Sequence, residues 1–255
     1  MLRLSAAVLC IARAFAALNA TEDGSKLTLS NERLVASVEK ASGAINKLLL
    51  DGQDLLGPRS GNTGIGPYLD CYCTPNGNGA YTPGRIAPVY KLLQGSDASN
   101  TSWGGIVMSE TYPPTGQVLE QYWFLRDGET GLHTFSRLAY HNATTPFLRN
   151  LQEFRTLFRP NTPLWTDLST NEIQYAPLPN PNPAAGGKGD FTTVQDVTWL
   201  LPNRSDPYVV QESDYFTKYT FSDIWRDHRV HGLFADGSTS KDGSTYGAWV
   251  VMNTR

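Results

Sequence analysis

The densest group of ionisable and aromatic residues in the sequence lies between positions 214 and 232. Lys218 stands there among aromatic residues, in a stretch with the character of a β-strand, and Arg226 and His231 follow it. A lysine in such a strand either extends its amine to solvent along an apolar stem or serves a chemical role that requires partial burial. Both interpretations stay open, and Lys218 is the first candidate for catalysis.

Two arginines have the spacing of one face of a strand. Arg155 and Arg159 lie four residues apart in the segment 153–159, and side chains that are an even number of residues apart on a strand project from the same face. They either form a solvated face with Glu153 as their ionic partner or bind carboxylates, whose shape the guanidinium fork matches.

Familiar catalytic and metal-binding signatures are absent from the sequence. It contains no Gly-x-Ser-x-Gly, His-Glu-x-x-His or Walker motif. His228 and His231 could ligate a metal from a helix, but on a strand residues three apart face opposite ways. The segment 236–243 lacks the acidic pattern of a calcium loop and is predicted to be a hairpin tip. We therefore expect neither a metal nor a cofactor.

Composition and charge exclude several classes of protein. Of the 255 residues 40% are hydrophobic and 18% are charged, which supplies a core and excludes global disorder. The net charge is −3 and the sequence has no block of Lys and Arg, which argues against a nucleic-acid partner. We expect a substrate that is neutral, or acidic and bound by a few local cations.

Residues 1–20 are predicted to be a secretory signal peptide. Arg3 precedes an alanine-rich apolar stretch that is too short to span a membrane, and polar residues begin at Thr21. Arg13 interrupts this stretch, and an amphipathic N-terminal helix is the alternative. We expect an extracellular protein with no membrane partner. Three N-glycosylation sequons agree with secretion, and they begin at Asn100, Asn142 and Asn203.

Two cysteines, Cys71 and Cys73, follow the predicted signal. One residue apart on a strand, they would point to opposite faces, so a disulfide between them would be strained. A zinc site needs about four ligands, and nothing nearby supplies the other pair. The two thiols are either buried or bonded to a partner outside the chain.

Short alternating segments bounded by turn residues predict an antiparallel β fold. Predicted strands cover 26–38 in two parts, 44–50, 118–125, 131–141, 150–158, 193–201, 208–221 and 246–252. A two-residue turn is predicted at Asp51 and Gly52, and the Pro- and Gly-rich segment 176–189 is predicted to be an irregular surface loop. Residues 21–255 are predicted to form one all-β sandwich.

Together these segments resemble the N-terminal catalytic domain of the rhamnogalacturonan lyases of polysaccharide lyase family four. The resemblance covers nearly the whole chain after the predicted signal. It is carried by segment 66–73, by the hairpin 122–141 with 128–132 at its turn, by the strand of Arg155, and by Lys218 with 226–232. Segments 31–34 and 43–52 also suit the sugar-binding sandwich of this family. The resemblance implies a galactose-mutarotase-like super-sandwich.

The family resemblance also implies a reaction, the cleavage of the rhamnogalacturonan I backbone of pectin by β-elimination. The bond broken joins rhamnose to O4 of galacturonate. Such a reaction needs a base near C5, a cation on the adjoining carboxylate and an acid near the leaving oxygen. The resemblance assigns the base to Lys218 and substrate binding to Arg155. The other cations of these segments, Arg159, Arg226 and His231, are further candidates for substrate binding.

The protonation state of Lys218 is decisive for this assignment. At its ordinary pKa of about 10.4 a lysine is protonated and cannot act as a base. Burial among Tyr215, Phe216 and Tyr219, with Arg226 nearby, would lower the pKa of Lys218.

The sequence departs from the family pattern at its C-terminal side. The family's acid is a histidine some tens of residues after the lysine, and His228 and His231 follow Lys218 too soon. We expect the family's fibronectin-like and carbohydrate-binding-like domains to be missing from this chain. We therefore expect the front part of such an enzyme, with a sandwich incomplete at its C-terminal end, impaired activity, and a monomeric full-length form.

Two other functions are alternatives on sequence grounds. One is a non-catalytic sandwich that binds carbohydrate, and the other is a mutarotase-like epimerase, which would need His and Glu at its centre. Release of an unsaturated uronate separates the lyase from both.

Overall fold

The computed structural model describes residues 18–71, 84, 86–113, 116–141, 154–169, 175–177, 190–193, 198–200, 215–217 and 230–251. The chain divides into two compact units, Met1–Asn161 and Thr162–Arg255, and each is described by itself. All secondary-structure elements in the described residues are β-strands, and all pairings between these strands are antiparallel. The predicted all-β class is confirmed. Among the described residues no helix is long and apolar enough to cross a membrane.

The first sheet of the first unit is a five-stranded meander in the order β1-β2-β3-β4-β5. Its strands are β1 (Asn19–Glu22), β2 (Lys26–Ser30), β3 (Leu34–Glu39), β4 (Ala44–Leu50) and β5 (Gln53–Asp54). The predicted turn at Asp51 and Gly52 joins β4 to β5, with φ values of 50° and 81° that suit Asp and Gly. Asn19 and Ala20, the last two residues of the predicted signal peptide, lie in β1.

The second sheet of this unit has four strands in the order β10-β9-β8-β7. Its strands are β7 (Val89–Ser96), β8 (Ser102–Tyr112), β9 (Gln117–Arg126) and β10 (His133–Ala139). Along β9 every second residue from Gln117 to Leu125 is buried, and the residues between them are half-buried. This alternation makes one face of the sheet part of the core and leaves the other face open.

The core of the first unit lies between these two sheets. Leu27, Leu29 and Val38 of the first sheet are fully buried, as are Leu119 and Leu125 of the second. The sheets approach closely at Gly104, where a Cβ would lie 3.2 Å from Cδ2 of Leu29. Each such leucine contributes about 1.5–3 kcal/mol to stability through burial. The arrangement is a β-sandwich, as predicted.

A separate pair of strands completes the first unit. β6 (Ile65–Cys71) pairs with β11 (Phe154–Arg159). Leu69 of β6 is buried, and the indole nitrogen of Trp123, on the core face of β9, donates to the carbonyl of Pro67 at 3.4 Å. This bond ties β6 to the core side of the second sheet.

The second unit contains two sheets. One has the order β13-β12-β17-β18, from β12 (Asp167–Ser169), β13 (Tyr175–Pro177), β17 (Val230–Ala235) and β18 (Tyr246–Val251). The other has the order β14-β15-β16, from β14 (Asp190–Thr193), β15 (Thr198–Leu200) and β16 (Tyr215–Thr217). The predicted hairpin tip at 236–243 lies between β17 and β18, which pair with each other.

One prediction about the second unit is wrong in part. Residues 176–189 are not wholly irregular, because Ala176 and Pro177 end β13. β13 is at the edge of its sheet in the described residues, a position that tolerates a proline. Residues 178–189 lie outside the described residues.

Candidate functional site

The strand that carries the two predicted substrate arginines is β11. Its Arg155 pairs with Asp70 of β6, and its Arg159 pairs with Ile65. The register shifts between Leu157 and Arg159 because β6 has one residue more than β11 there. The extra residue lies on β6, so the even spacing of the arginines along β11 is uninterrupted. For Arg155 the structure describes the backbone and not the side chain.

The shift in register depends on a glycine. Gly66 has a φ of 120°, which a residue with a side chain rarely adopts. A Cβ at this position would lie 2.6 Å from the carbonyl oxygen of Leu157, on the opposing strand. Gly66 therefore allows β6 to pass close to β11 just before Arg159.

Arg159 has an unusual environment for a cation. Its Nε atom is buried and has no hydrogen-bond partner among the described residues. The backbone around it is fixed, since Arg159 O accepts from Gly64 N at 2.7 Å and Asn161 Nδ2 donates to Pro58 O at 2.9 Å. A buried N–H without a partner carries a desolvation cost, and the guanidinium fork to which it belongs matches a carboxylate such as that of a uronate.

The structure does not describe the side chains of the other predicted catalytic and substrate-binding residues. Lys218, Arg226 and His228 lie outside the described residues, and Lys218 directly follows β16. His231 lies in β17, where its backbone pairs with Val250, and its side chain is not described. The roles predicted for these residues stay predictions.

Some of the predicted glycosylation sites and cysteines lie in the described residues and others do not. Asn100 is exposed in a tight turn with a φ of 62°, and its backbone N–H donates to Asp97 O at 2.9 Å. Asn142 and Asn203 lie outside the described residues, as does Cys73. Cys71 ends β6 and its backbone pairs with Phe154.

Sequence reasoning missed a chain of charged groups at one end of the second sheet. Arg126 forms ion pairs with Asp97 and with Glu129, the latter at 2.5 Å, and Glu129 in turn contacts His133 Nε2 at 2.8 Å. Hydrogen bonds from Ser99, the Thr101 backbone and Arg126 hold the pKa of Asp97 well below its ordinary value. Bonds from His133 and then Arg126 also lower the pKa of Glu129.

A second group of this kind lies on the open face of the same sheet. Glu120 accepts from Nε of Arg137 at 2.6 Å and from the hydroxyl of Tyr122 at 2.8 Å. The Arg137 bond is the main cause of the lowered pKa of Glu120. No sequence motif signals it, because it depends on the register that places Arg137 opposite Glu120. Among the described residues no cluster of three or more His, Cys, Asp or Glu could hold a metal ion.

Comparison with known proteins gives one family. Residues 164–255, nearly the span of the second unit, match the family model described as "Probable rhamnogalacturonate lyase B middle domain". The chain is 58% identical over 253 residues to "Probable rhamnogalacturonate lyase B" of Aspergillus flavus, which covers 99% of this chain and 37% of the relative. It is 60% identical over 251 residues to "Rhamnogalacturonate lyase B" of Emericella nidulans, covering 98% of this chain and 37% of the relative.

The chain thus spans 37% of the length of these two curated relatives. A third relative, "Probable rhamnogalacturonate lyase B" of Aspergillus oryzae, is 58% identical over 220 residues. That alignment covers 86% of this chain and 90% of the relative. No solved structure matches the chain. With this identity over nearly the whole of the third relative, the chain belongs to the rhamnogalacturonate lyase B family.

Proposed function

We propose that the chain takes part in the lyase cleavage of rhamnogalacturonan I, a pectic polysaccharide. The observation that carries the proposal is the 58% identity to a rhamnogalacturonate lyase B relative over 90% of that relative's length. The reaction proposed is β-elimination at the bond between rhamnose and O4 of galacturonate. The non-catalytic sandwich and the epimerase are not favoured by the relatives' names.

The chemistry requires a cation beside the uronate carboxylate. When a base removes the proton at C5, negative charge develops on the carboxylate, and a fixed cation there lowers the barrier. The electron pair left at C5 forms the C4–C5 double bond, and the C4–O4 bond breaks with its electrons on the rhamnose-bound oxygen. A proton delivered to this oxygen completes the step.

The arginines of β11 are proposed for the carboxylate. Arg159 supports the role, because its buried Nε has no partner among the residues that the structure describes. Arg155, on the same strand, is proposed to bind the galacturonate at the scissile bond, with Arg226 and His231 as further substrate-binding residues. Lys218 is proposed as the base that takes the C5 proton.

We also propose that the protein is secreted, glycosylated and monomeric in its full-length form. The exposed turn position of Asn100 supports glycosylation there, since a glycan attaches to surface loops of secreted proteins.

The test of the lyase is the near-ultraviolet absorbance of unsaturated uronate released from rhamnogalacturonan I. We expect slow release from this chain, faster release from a version extended to the length of the longer relatives, and no release after Lys218→Ala in the extended version. Lys47→Ala, at an exposed lysine of β4, is the matched control and should behave like the unaltered chain. Retention of more than about a tenth of kcat by Lys218→Ala, a loss below ~1.4 kcal/mol, would contradict its role as base. Absence of product from both the chain and its extended version would contradict the lyase proposal itself.

A further inference from the structure

Four aromatic side chains lie together on the open face of the second sheet. We call this group the aromatic face; its members are Trp103, Tyr122, Phe124 and Phe135. Phe135 on the edge strand β10 is opposite Tyr122 on β9, with ring centroids 4.3 Å apart and an interplanar angle of 11°. Phe124 is nearly parallel to Phe135, at 6.0 Å and 16°.

Two glycines let rings of the aromatic face rest on the sheet. Gly105 pairs with Phe124, and a Cβ on Gly105 would lie 2.4 Å from Cε1 of that ring. Gly95 pairs with Trp103, and a Cβ there would lie 2.7 Å from Cζ2 of the indole. Each ring therefore occupies the space where the neighbouring strand has no side chain. The rings form a continuous layer over the sheet.

The layer is open to solvent at Phe135, and its other three rings are half-buried. Phe135 is 52% exposed, although burial of a large apolar side chain lowers its free energy. Contiguous exposed apolar groups rimmed by polar groups mark binding surfaces. The rim is present here. At one end Arg137 pairs with Glu120, and at the other Arg126 joins Asp97 and Glu129.

The charges around the aromatic face indicate which class of ligand it can bind. Its described Lys and Arg residues are Lys91, Arg126 and Arg137, and its described carboxylates are Asp97, Glu120 and Glu129, so these charges balance. The imidazole of His133 also lies here and contacts Glu129. A balanced surface does not select a polyanion, and it offers both donors and acceptors. Sugar hydroxyls both donate and accept hydrogen bonds, and the C–H face of a pyranose stacks on an aromatic ring.

We propose that the aromatic face binds uncharged pyranose residues of a polysaccharide by ring stacking. The proposal rests on the proposed function for the kind of polymer that meets this protein. It places polysaccharide binding on a sheet other than the β6–β11 pair that carries the arginines. The aromatic face would hold neutral portions of a pectic polymer.

The test is affinity electrophoresis of the purified chain in native gels that contain linear galactan. Galactan has no galacturonate and cannot be a substrate of the proposed lyase, so its binding is measured whether or not the chain cleaves rhamnogalacturonan I. We expect galactan to retard the chain. Phe135→Ala should weaken binding about tenfold, a size within reach of one ring contact.

Three controls make the result decisive. Phe135→Tyr keeps the ring and should bind as the unaltered chain does. Trp249→Ala removes a side chain of similar exposure, 53%, from the second unit and should bind normally. Phe135→Ala should remain folded, with a small loss of thermal stability from the lost contacts with Tyr122 and Phe124. If that variant unfolds, Phe135→Leu replaces it as the variant without a ring.

Several outcomes would overturn the proposal. They are an absence of retardation by galactan, equal binding with and without the Phe135 ring, and retardation by polygalacturonate alone. A Phe135-dependent dimer on a sizing column, without galactan binding, would assign the face to a second copy of the chain instead. Galactan binding that needs Phe135 would support the proposal even if no unsaturated product is ever released.

Discussion

The side-chain amide of Asn31 donates to the backbone carbonyl of Glu129 at 2.7 Å, across 98 residues of chain. The same nitrogen donates to Arg126 O at 3.0 Å, while Oδ1 accepts from the N–H groups of Arg33 and Leu34. Asn31 is buried and its hydrogen-bonding capacity is filled. It joins the β2–β3 turn of one sheet to the β9–β10 turn of the other.

Replacing Asn31 with leucine should destabilise the first unit by about 2–6 kcal/mol, because four hydrogen bonds are lost at about 0.5–1.5 kcal/mol each. Urea unfolding measures the change. Asn62→Ala, at an exposed loop position, should change stability by less than about 0.5 kcal/mol. Equal stability of the two variants would show that the Asn31 bonds do not hold the sheets together.

The Glu110 carboxylate supports a second stability prediction. It is buried and accepts from three backbone N–H groups, Gly84 at 2.8 Å, Ile86 at 2.6 Å and Ala87 at 2.7 Å. Glu110→Gln turns an NH₂ group toward one of these donors and leaves it unsatisfied, at a cost of about 1–3 kcal/mol. Thermal unfolding should show the loss. Glu22→Gln, which removes an exposed pair with Lys40, should cost at most about 1 kcal/mol, and a loss as large as that of Glu110→Gln would contradict the prediction.

Acid should destabilise the first unit through carboxylates whose pKa is lowered by the fold. The pKa values of Asp97, Glu120 and Glu129 all lie below their ordinary values. Groups with a lowered folded pKa stabilise the protein above the unfolded pKa, about 4, and this stability is lost as the pH falls further. We expect Tm to decrease as the pH is lowered below about 4.5, and calorimetry measures this decrease. The fall should be shallower in Glu120→Gln, and an identical pH profile in that variant would refute the assignment.

Arginine geometry, rather than charge alone, should matter on β11. Arg155→Lys is expected to lower kcat and raise KM on rhamnogalacturonan I, since an ammonium lacks the fork that binds a carboxylate bidentately. Arg33→Lys, at an exposed ion pair with Asp51, is the matched control and should leave both constants unchanged. If Arg155→Lys equals the unaltered chain, the residue is structural, and Arg159→Lys becomes the variant that tests carboxylate binding by β11.

Glycosylation at Asn100 should appear when the chain is secreted from a eukaryotic host. The expected result is a mass increase at the peptide of Asn100 that N-glycosidase removes. Ser102→Ala destroys the sequon and keeps Asn100 in its left-handed conformation, so it is preferable to replacing Asn100. A sugar-free peptide from the unaltered secreted chain would refute the assignment.

Local patterns predicted the strands whose two faces differ. The alternation from Gln117 to Arg126 and the turn at Asp51 were readable because each depends on neighbours in sequence. β8 was missed because it is buried on both faces near its centre, where Phe124 covers Gly105, so alternation fails. The aromatic face and the β6–β11 pair depend on register between distant strands, which no local pattern contains.

The pairing of β6 with β11 also has a consequence for the order of folding. The two meanders of the first unit join strands that are neighbours in sequence, so each pairing closes a short loop. Ile65 must meet Arg159 across about 90 residues, a closure with a larger entropic cost that slows its formation. We expect β11 to dock after both meanders have formed. Pulse-labelling hydrogen exchange should therefore show the amides of β9 protected during refolding before those of the strand that presents the arginines.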